Sequence, residues 1–166
     1  FEVASVTGLG YTGVTINLRN KTGKTQPPGD LGTPLANDPR VREAFDLSLD
    51  REAINQVAWD GQYTPACTPI SPVSPFYDKS KKCPGRDVAK AKQLLAAAGL
   101  ASGYAFELTI VNDPQQRDFG EVIQGMAREA GFNRRLTSGE GAFCRKAAIC
   151  RRCSRKKCFC FCCQSR

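Results

Sequence analysis

The chain contains no histidine. That excludes a His-based catalytic triad, an imidazole general base and an imidazole metal ligand. Methionine and tryptophan occur once each. No run of about 18 apolar residues is present, so no segment has the length to cross a bilayer as a helix. Acids are nearly missing from the C-terminal part, where Glu140 is the only one between residues 134 and 166.

What is present divides the chain in two. Residues 1–133 carry 14 basic and 15 acidic residues, close to neutral, whereas residues 134–166 carry 10 basic residues against that single acid. The formal charge of +8 therefore belongs to the tail. Cysteine splits in the same way: Cys67 and Cys83 lie in the body, and seven more lie between Cys144 and Cys163. Reading the whole chain as a basic nucleic-acid binder would average two unlike segments. The body, residues 1–133, has the size of one ordinary domain.

Within the body, residues 38–61 read as two short helices. Asp38 caps the first, with Pro39 at its first position, where a missing N–H costs nothing. Val41, Ala44, Phe45 and Leu49 recur at helical spacing. Asp50 caps the second, with Ala53, Ile54 and Val57 on one face, and Gly61 ends it. Phe1–Val6 and Val14–Leu18 read as strands around the turn Gly8–Gly13. Arg19–Ala36 reads as loop, and the proline-rich stretch Gln62–Gly85 as an ordered but irregular one. Asp87 caps a helix over Val88–Ala98, with Ala91, Leu94, Leu95 and Ala98 as its buried stripe. Phe106, Leu108 and Ile110 alternate with polar residues, as in a strand with one buried face. A helix from Asn112–Pro114 to Ala130 follows. Gly131 stops it and Phe132 starts a further strand. The order predicts an α/β lobe.

Several motifs carry less than they suggest. Gly8-Leu9-Gly10-Tyr11-Thr12-Gly13 fits G-x-G-x-x-G, but a dinucleotide site needs a helix after it, and the β-branched VTINL follows instead. Gly23-Lys24-Thr25 resembles the end of a P-loop, yet residue 18, where its first glycine belongs, is Leu. The tail cysteines run C-x5-C-x2-C-x4-C-x-C-x-C-C. Only Cys150 and Cys153 have the spacing common in zinc sites, with no partner pair and no histidine to complete one. The carboxylates fall at caps and solvated faces, and none pairs as a catalytic couple. The expectation is a protein with no catalytic residue, metal or cofactor.

The residue types of DPRVREAFDLSLDREAI (38–54), followed by G-x-x-x-P-A at Gly61–Ala66, resemble the extracellular solute-binding proteins of ABC importers. The branch is family 5, which binds peptides, nickel and related solutes. DVAKAKQLLAAAG (Asp87–Gly99) resembles that family's D-x-x-K-A-K-x-L-L-x-x-A-G helix. VTINL, Ala105–Val111 and Glu121–Gly131 match a strand, a strand and a helix in the family's order. The resemblance covers roughly residues 10–133.

This resemblance implies a partial lobe of a two-lobed fold like that of type II periplasmic binding proteins. It implies an internal fragment of a larger exported protein, located in the periplasm or outside the cell. The implied partners are a peptide or other small solute and the permease subunits of an importer, with no specific nucleic acid. Tyr63, in the loop Gly61–Thr64, is the one candidate solute contact, beside the reading of a surface loop that only packs, which is the one favoured. In an exported protein Cys67 and Cys83 are expected to form a disulfide rather than two unpaired thiols. After Asn133 charge, cysteine content and family pattern break together. The expectation is that residues 134–166 are out-of-frame translation or disordered; an intact reading frame with this tail in related genes would remove that idea. The alternative function is a cysteine-rich basic protein that binds metal or nucleic acid through the tail.

Overall fold

The computed structural model describes residues 8–20, 30–139 and 158–160. Five helices and three strands lie within them: α1 (Pro34–Asn37), α2 (Pro39–Leu47), α3 (Arg51–Trp59), α4 (Val88–Ala97), β1 (Tyr104–Val111), α5 (Pro114–Glu129), β2 (Phe132–Gly139) and β3 (Cys158–Cys160).

Side-chain caps open every helix. The carboxylates of Asp38, Asp50, Asp87 and Asp113 accept from the backbone N–H groups of Arg40, Ala53, Lys90 and Gln116 at 2.8–3.3 Å. Thr33 Oγ1 does the same for Ala36 at 3.3 Å. Each bond satisfies a donor that the first turn leaves free, worth about 1 kcal/mol. Proline follows the cap in α1, α2 and α5, where its fixed φ is already helical.

β1, α5 and β2 form a parallel β-α-β unit, with Tyr104 opposite Phe132 and Val111 opposite Gly139. β3 lies parallel on the other edge of β1, with Leu108 opposite Phe159. The strand order is β2-β1-β3. The start of the unit requires glycine. Gly103 has φ +95°, and a Cβ there would lie 2.6 Å from the carbonyl oxygen of Gly131. That oxygen accepts from Tyr104 N–H at 3.0 Å, just ahead of the ladder.

The core joins the helical pair to the sheet. Phe45 of α2 meets Phe106 of β1 and Phe132 of β2 edge to face, at 5.4 and 5.6 Å between ring centroids. Phe106 and Phe132 complete the triangle at 5.9 Å. Such ring pairs add about 1 kcal/mol each to area burial. Leu108, Ile123, Val41, Ala44, Ala91, Leu95 and Ala127 fill the space around them. The expected stripes of α2, α4 and β1 are thus the observed ones, with Leu94 and Ala98 half-buried at the rim.

Four expectations need correction. Val14–Leu18 is not a strand: one bridge residue, Thr15, is its only regular backbone. A strand needs several consecutive ladder pairs, and Thr15 makes a single bridge, apart from the sheet of β1, β2 and β3. Val14 and Ile16 instead pack on the core as partly buried side chains. Arg19–Ala36 is not all loop, because Thr33-Pro34 opens α1. Leu49 lies past the end of α2, buried in the elbow before α3. Val57 is 61% exposed, because Ile54, Asn55 and Ala58 are the buried residues of α3. That face packs against α5.

The expected strand Phe1–Val6, the segment Gly23–Thr25, and the tail apart from residues 134–139 and 158–160 lie outside the described residues. β2 itself runs across the 133/134 boundary to Gly139.

Candidate functional site

The charges of residues 38–54 are wired into the scaffold. Arg40 binds the Asp38 carboxylate and donates to Ala97 O at 2.8 Å, capping the far end of α4. Arg42 donates to Leu35 O and Ala36 O in α1. Glu43 pairs with Lys90 of α4 at 2.9 Å. Arg51 binds Asp46 and also donates to Pro84 O. Arg86 donates to Ser48 O at 3.1 Å and pairs with Glu129 of α5 at 2.7 Å. The guanidinium of Arg40 holds the Asp38 carboxyl below its usual range, and Glu43 raises the Lys90 ammonium. These residues fix how helices cross one another, and they leave little free charge for a ligand.

The end of α3 carries the residue singled out by sequence, Tyr63. Asp60 takes the left-handed conformation at φ 52° and Gly61 follows at φ 73°, which turns the chain out of the helix. Two interactions hold the turn. Asn55 Nδ2 donates to Tyr63 O at 2.6 Å, and Tyr63 N–H donates to Asn55 Oδ1 at 3.2 Å. The ring of Trp59 stands edge-on to Tyr63 at 5.6 Å and lies against Phe119 of α5 at 5.1 Å. Tyr63 is 63% exposed, so a fixed backbone presents an aromatic ring with a polar tip to solvent. Asn55 gave no motif signal. Only its place among the apolar residues of a short helix marked it.

The loop continues into a covalent closure. Cys67 and Cys83 are joined by a disulfide with 5.3 Å between Cα atoms. Ser71 Oγ inside the closed segment donates to Gly8 O at 3.0 Å, tying it to the N-terminal segment.

A second surface was not picked out from the sequence. It is the carboxyl edge of the sheet, where β1 ends at Val111 and α5 begins after Asp113. In open α/β sheets the crevice outside the carboxyl ends of the strands is where ligands sit. Asn112 and Arg117 are exposed there, with Arg117 Nη2 3.4 Å from Asn112 Oδ1. Gln116 is buried, and its Oε1 has no hydrogen-bond partner among the described residues. Such an orphan costs about 1–3 kcal/mol.

Buried titratable chemistry is sparse. Burial raises the phenol of Tyr104 above its usual value, opposed by the backbone of Leu35 and the side chain of Thr33. Among the described residues no group of three or more His, Cys, Asp or Glu could hold a metal ion. No described helix is long and apolar enough to cross a membrane.

Known proteins share this fold. The family model for bacterial extracellular solute-binding proteins, family 5 Middle, matches residues 1–149. The glutathione-binding protein GsiB of Salmonella choleraesuis is 32% identical over 115 residues, covering 69% of this chain and 21% of that protein. A dipeptide-binding protein of Pseudomonas aeruginosa is 31% identical over 115 residues, covering 64% and 21%. The solved structure of HbpA2 from Haemophilus parasuis superposes with a TM-score of 0.63 at 26% identity, covering 81% of this chain and 25% of that one. The chain therefore spans about a fifth of the length of the curated relatives.

Proposed function

The chain belongs to the bacterial extracellular solute-binding proteins of family 5, and from that membership we propose that it forms part of one lobe of an importer's solute receptor. The family match over residues 1–149 is the observation that carries the reading. The solute class is a peptide or peptide-like compound, as in the glutathione- and dipeptide-binding relatives. The receptor works in the periplasm or outside the cell, where a disulfide such as Cys67–Cys83 persists.

The mechanism is one of differential binding. A solute that touches both lobes favours the closed arrangement over the open one, and the closed form is what the permease recognises. No bond of the solute is made or broken. The relatives named above are binding proteins, and the polar residues of the helical pair serve the scaffold.

Two elements face the solute in this reading. Tyr63 offers a ring and a hydroxyl from a backbone clamped by Asn55. Asn112 and Arg117 offer an amide and a cation at the carboxyl edge of β1, suited to the polar groups of a peptide. This chain alone is expected to show no saturable peptide binding, because the opposing lobe is needed for closure.

The test is a chimera. Residues 14–133 replace the corresponding segment of the glutathione-binding relative, and the product is titrated with glutathione and with dipeptides by calorimetry. Saturable binding of either supports the reading, and Tyr63→Ala in the same chimera weakens it by about tenfold, the loss of one good contact. A folded chimera that binds neither ligand, beside a parent that binds, overturns it.

A further inference from the structure

The segment between Cys67 and Cys83 plays no part in that solute reading, and it is built to hold a shape. Ser71-Pro72-Val73-Ser74 closes a turn, with Ser74 N–H donating to Ser71 O at 2.9 Å. Ser74-Pro75-Phe76-Tyr77 repeats it, with Tyr77 N–H donating to Ser74 O at 3.1 Å. Proline occupies the second position of both, where its fixed φ is already that of the turn. Asp78 closes a third, from Lys81 N–H at 3.3 Å, and its carboxylate accepts from the N–H and Oγ of Ser80 at 3.0 and 2.6 Å. The disulfide joins the two ends, and Arg51 bonds Pro84 O next to one of them.

The third positions of the two proline turns are Val73 and Phe76, which are 54% and 83% exposed. A stiff loop that fixes apolar side chains in water marks a contact surface. Lys79, Lys81 and Lys82 follow, all exposed. None of them belongs to the four ion pairs among the described residues. The nearest acid, Asp78, is engaged within its own turn.

We propose that the disulfide-closed loop 67–83 contacts an anionic phospholipid surface, with Phe76 entering the interface and the three lysines at the headgroup phosphates. The chemistry favours lipid over a protein partner. The N–H groups of Ser74, Tyr77 and Lys81 are taken up within the turns, and no residue of the loop lies in a strand that a ladder could extend. A ring 83% exposed at the tip of a turn suits a soft interface, and lysine is a point charge that suits a diffuse layer of phosphates rather than a shaped carboxylate fork. The proposal is independent of which solute the receptor takes.

The basic residues 134–166 will attract anionic vesicles by themselves, so the readout must sit on the loop. Trp59 is the one tryptophan of the chain. Phe76→Trp in a Trp59→Phe background therefore places a single reporter at position 76. The full chain is mixed with vesicles of phosphatidylcholine containing a third phosphatidylglycerol, with or without brominated acyl chains. The expected result is a blue shift and quenching by the brominated lipid, absent with pure phosphatidylcholine. Lys79→Gln, Lys81→Gln and Lys82→Gln each weaken the loop-dependent partition about fivefold, the effect of one lysine near an anionic leaflet. A position-76 reporter that stays water-exposed while the chain floats with the vesicles overturns the proposal, as does equal quenching in neutral vesicles. Circular dichroism of the reporter beside the original chain guards against a misfolded reporter, and Val73→Trp in the same Trp59→Phe background repeats the reading from the neighbouring turn. A folded Val73→Trp chain that is neither blue-shifted nor quenched counts against insertion.

Discussion

The side-chain amide of Asn55 holds both polar groups of the Tyr63 backbone, donating to its carbonyl at 2.6 Å and accepting from its N–H at 3.2 Å. A buried side chain thus fixes an exposed one, eight residues along the chain. Asn55→Ala leaves both backbone groups without that partner, a cost of about 2 kcal/mol. Urea unfolding should show this loss of stability. Hydrogen exchange should quicken at residues 61–64 while α2 and β1 keep their protection. Unchanged exchange at Tyr63 would show that the turn needs no clamp.

The buried face of α3 makes a paired prediction. Ile54→Ala removes a buried side chain and is expected to cost about 3 kcal/mol, since Ile54 is 5% exposed. Val57→Lys, on the exposed face, should change stability by no more than about 0.5 kcal/mol. Ile54 lies on both the observed face and the one expected from spacing, so the thermal melt of Val57→Lys decides between them and that of Ile54→Ala sets the scale.

Gly103→Ala places a methyl group against the carbonyl of Gly131 at a φ that L-residues avoid. The expected loss is about 3 kcal/mol, the combined effect of backbone strain and a disturbed start to the β1–β2 ladder. A substituted chain with an unchanged melting temperature would contradict the close approach.

Removing the bridge by Cys67→Ser with Cys83→Ser should destabilise this chain by about 3 kcal/mol, the loop-closure value for a segment of this length. Reduction of the original chain should match the double variant. Peptide mapping should find Cys67 and Cys83 in one disulfide-linked pair, and two freely alkylated thiols at these positions would exclude the bond.

The Asp38 carboxyl is held below its usual range, chiefly by the side chain of Arg40. A group whose folded pKa is depressed contributes its stability above the unfolded value, about 3.9 for Asp, and loses it as pH falls through the folded value. Stability should therefore decline on acidification below about pH 4. Asp38→Asn keeps a capping oxygen and loses the charge, so its decline should be shallower. A carboxyl titration followed by NMR that places Asp38 at an ordinary value would remove the effect.

Much of the scaffold was legible because its signals are local. An acid before Pro39 or before Val88 caps a helix whatever surrounds it, and strict alternation in Phe106–Ile110 specifies a strand with one buried face. The residues that misled were those whose state depends on a distant partner. Val14–Leu18 has strand composition but makes only the single bridge at Thr15. Val57 fits an apolar spacing, but beside Ile54 it is Asn55 and Ala58 that are buried on α3. The short α1 was missed among loop residues, although Thr33-Pro34 carries its cap.

The candidate site divides in the same way. Tyr63 drew attention because a helix stop precedes it and it is the one large polar-tipped side chain of the loop Gly61–Thr64. Asn55, Asn112, Arg117 and the orphaned oxygen of Gln116 were not found, because a polar residue in a helix or a turn looks the same whether it faces water, a backbone or a ligand.

Sequence by itself determined where α2, α3, α4 and α5 begin, which strand face is apolar, the contrast between body and tail, and the family. Those properties follow from residue types and spacings within a few turns of chain. Only the tertiary structure decided that the charges of residues 38–54 bind helix ends, that Phe45 meets Phe106 and Phe132, and that Asn55 holds Tyr63. The two proline turns came to light there as well, as platforms for Val73 and Phe76. Contacts between residues far apart in the chain depend on how the elements cross, and the order of residues along the chain does not state that geometry.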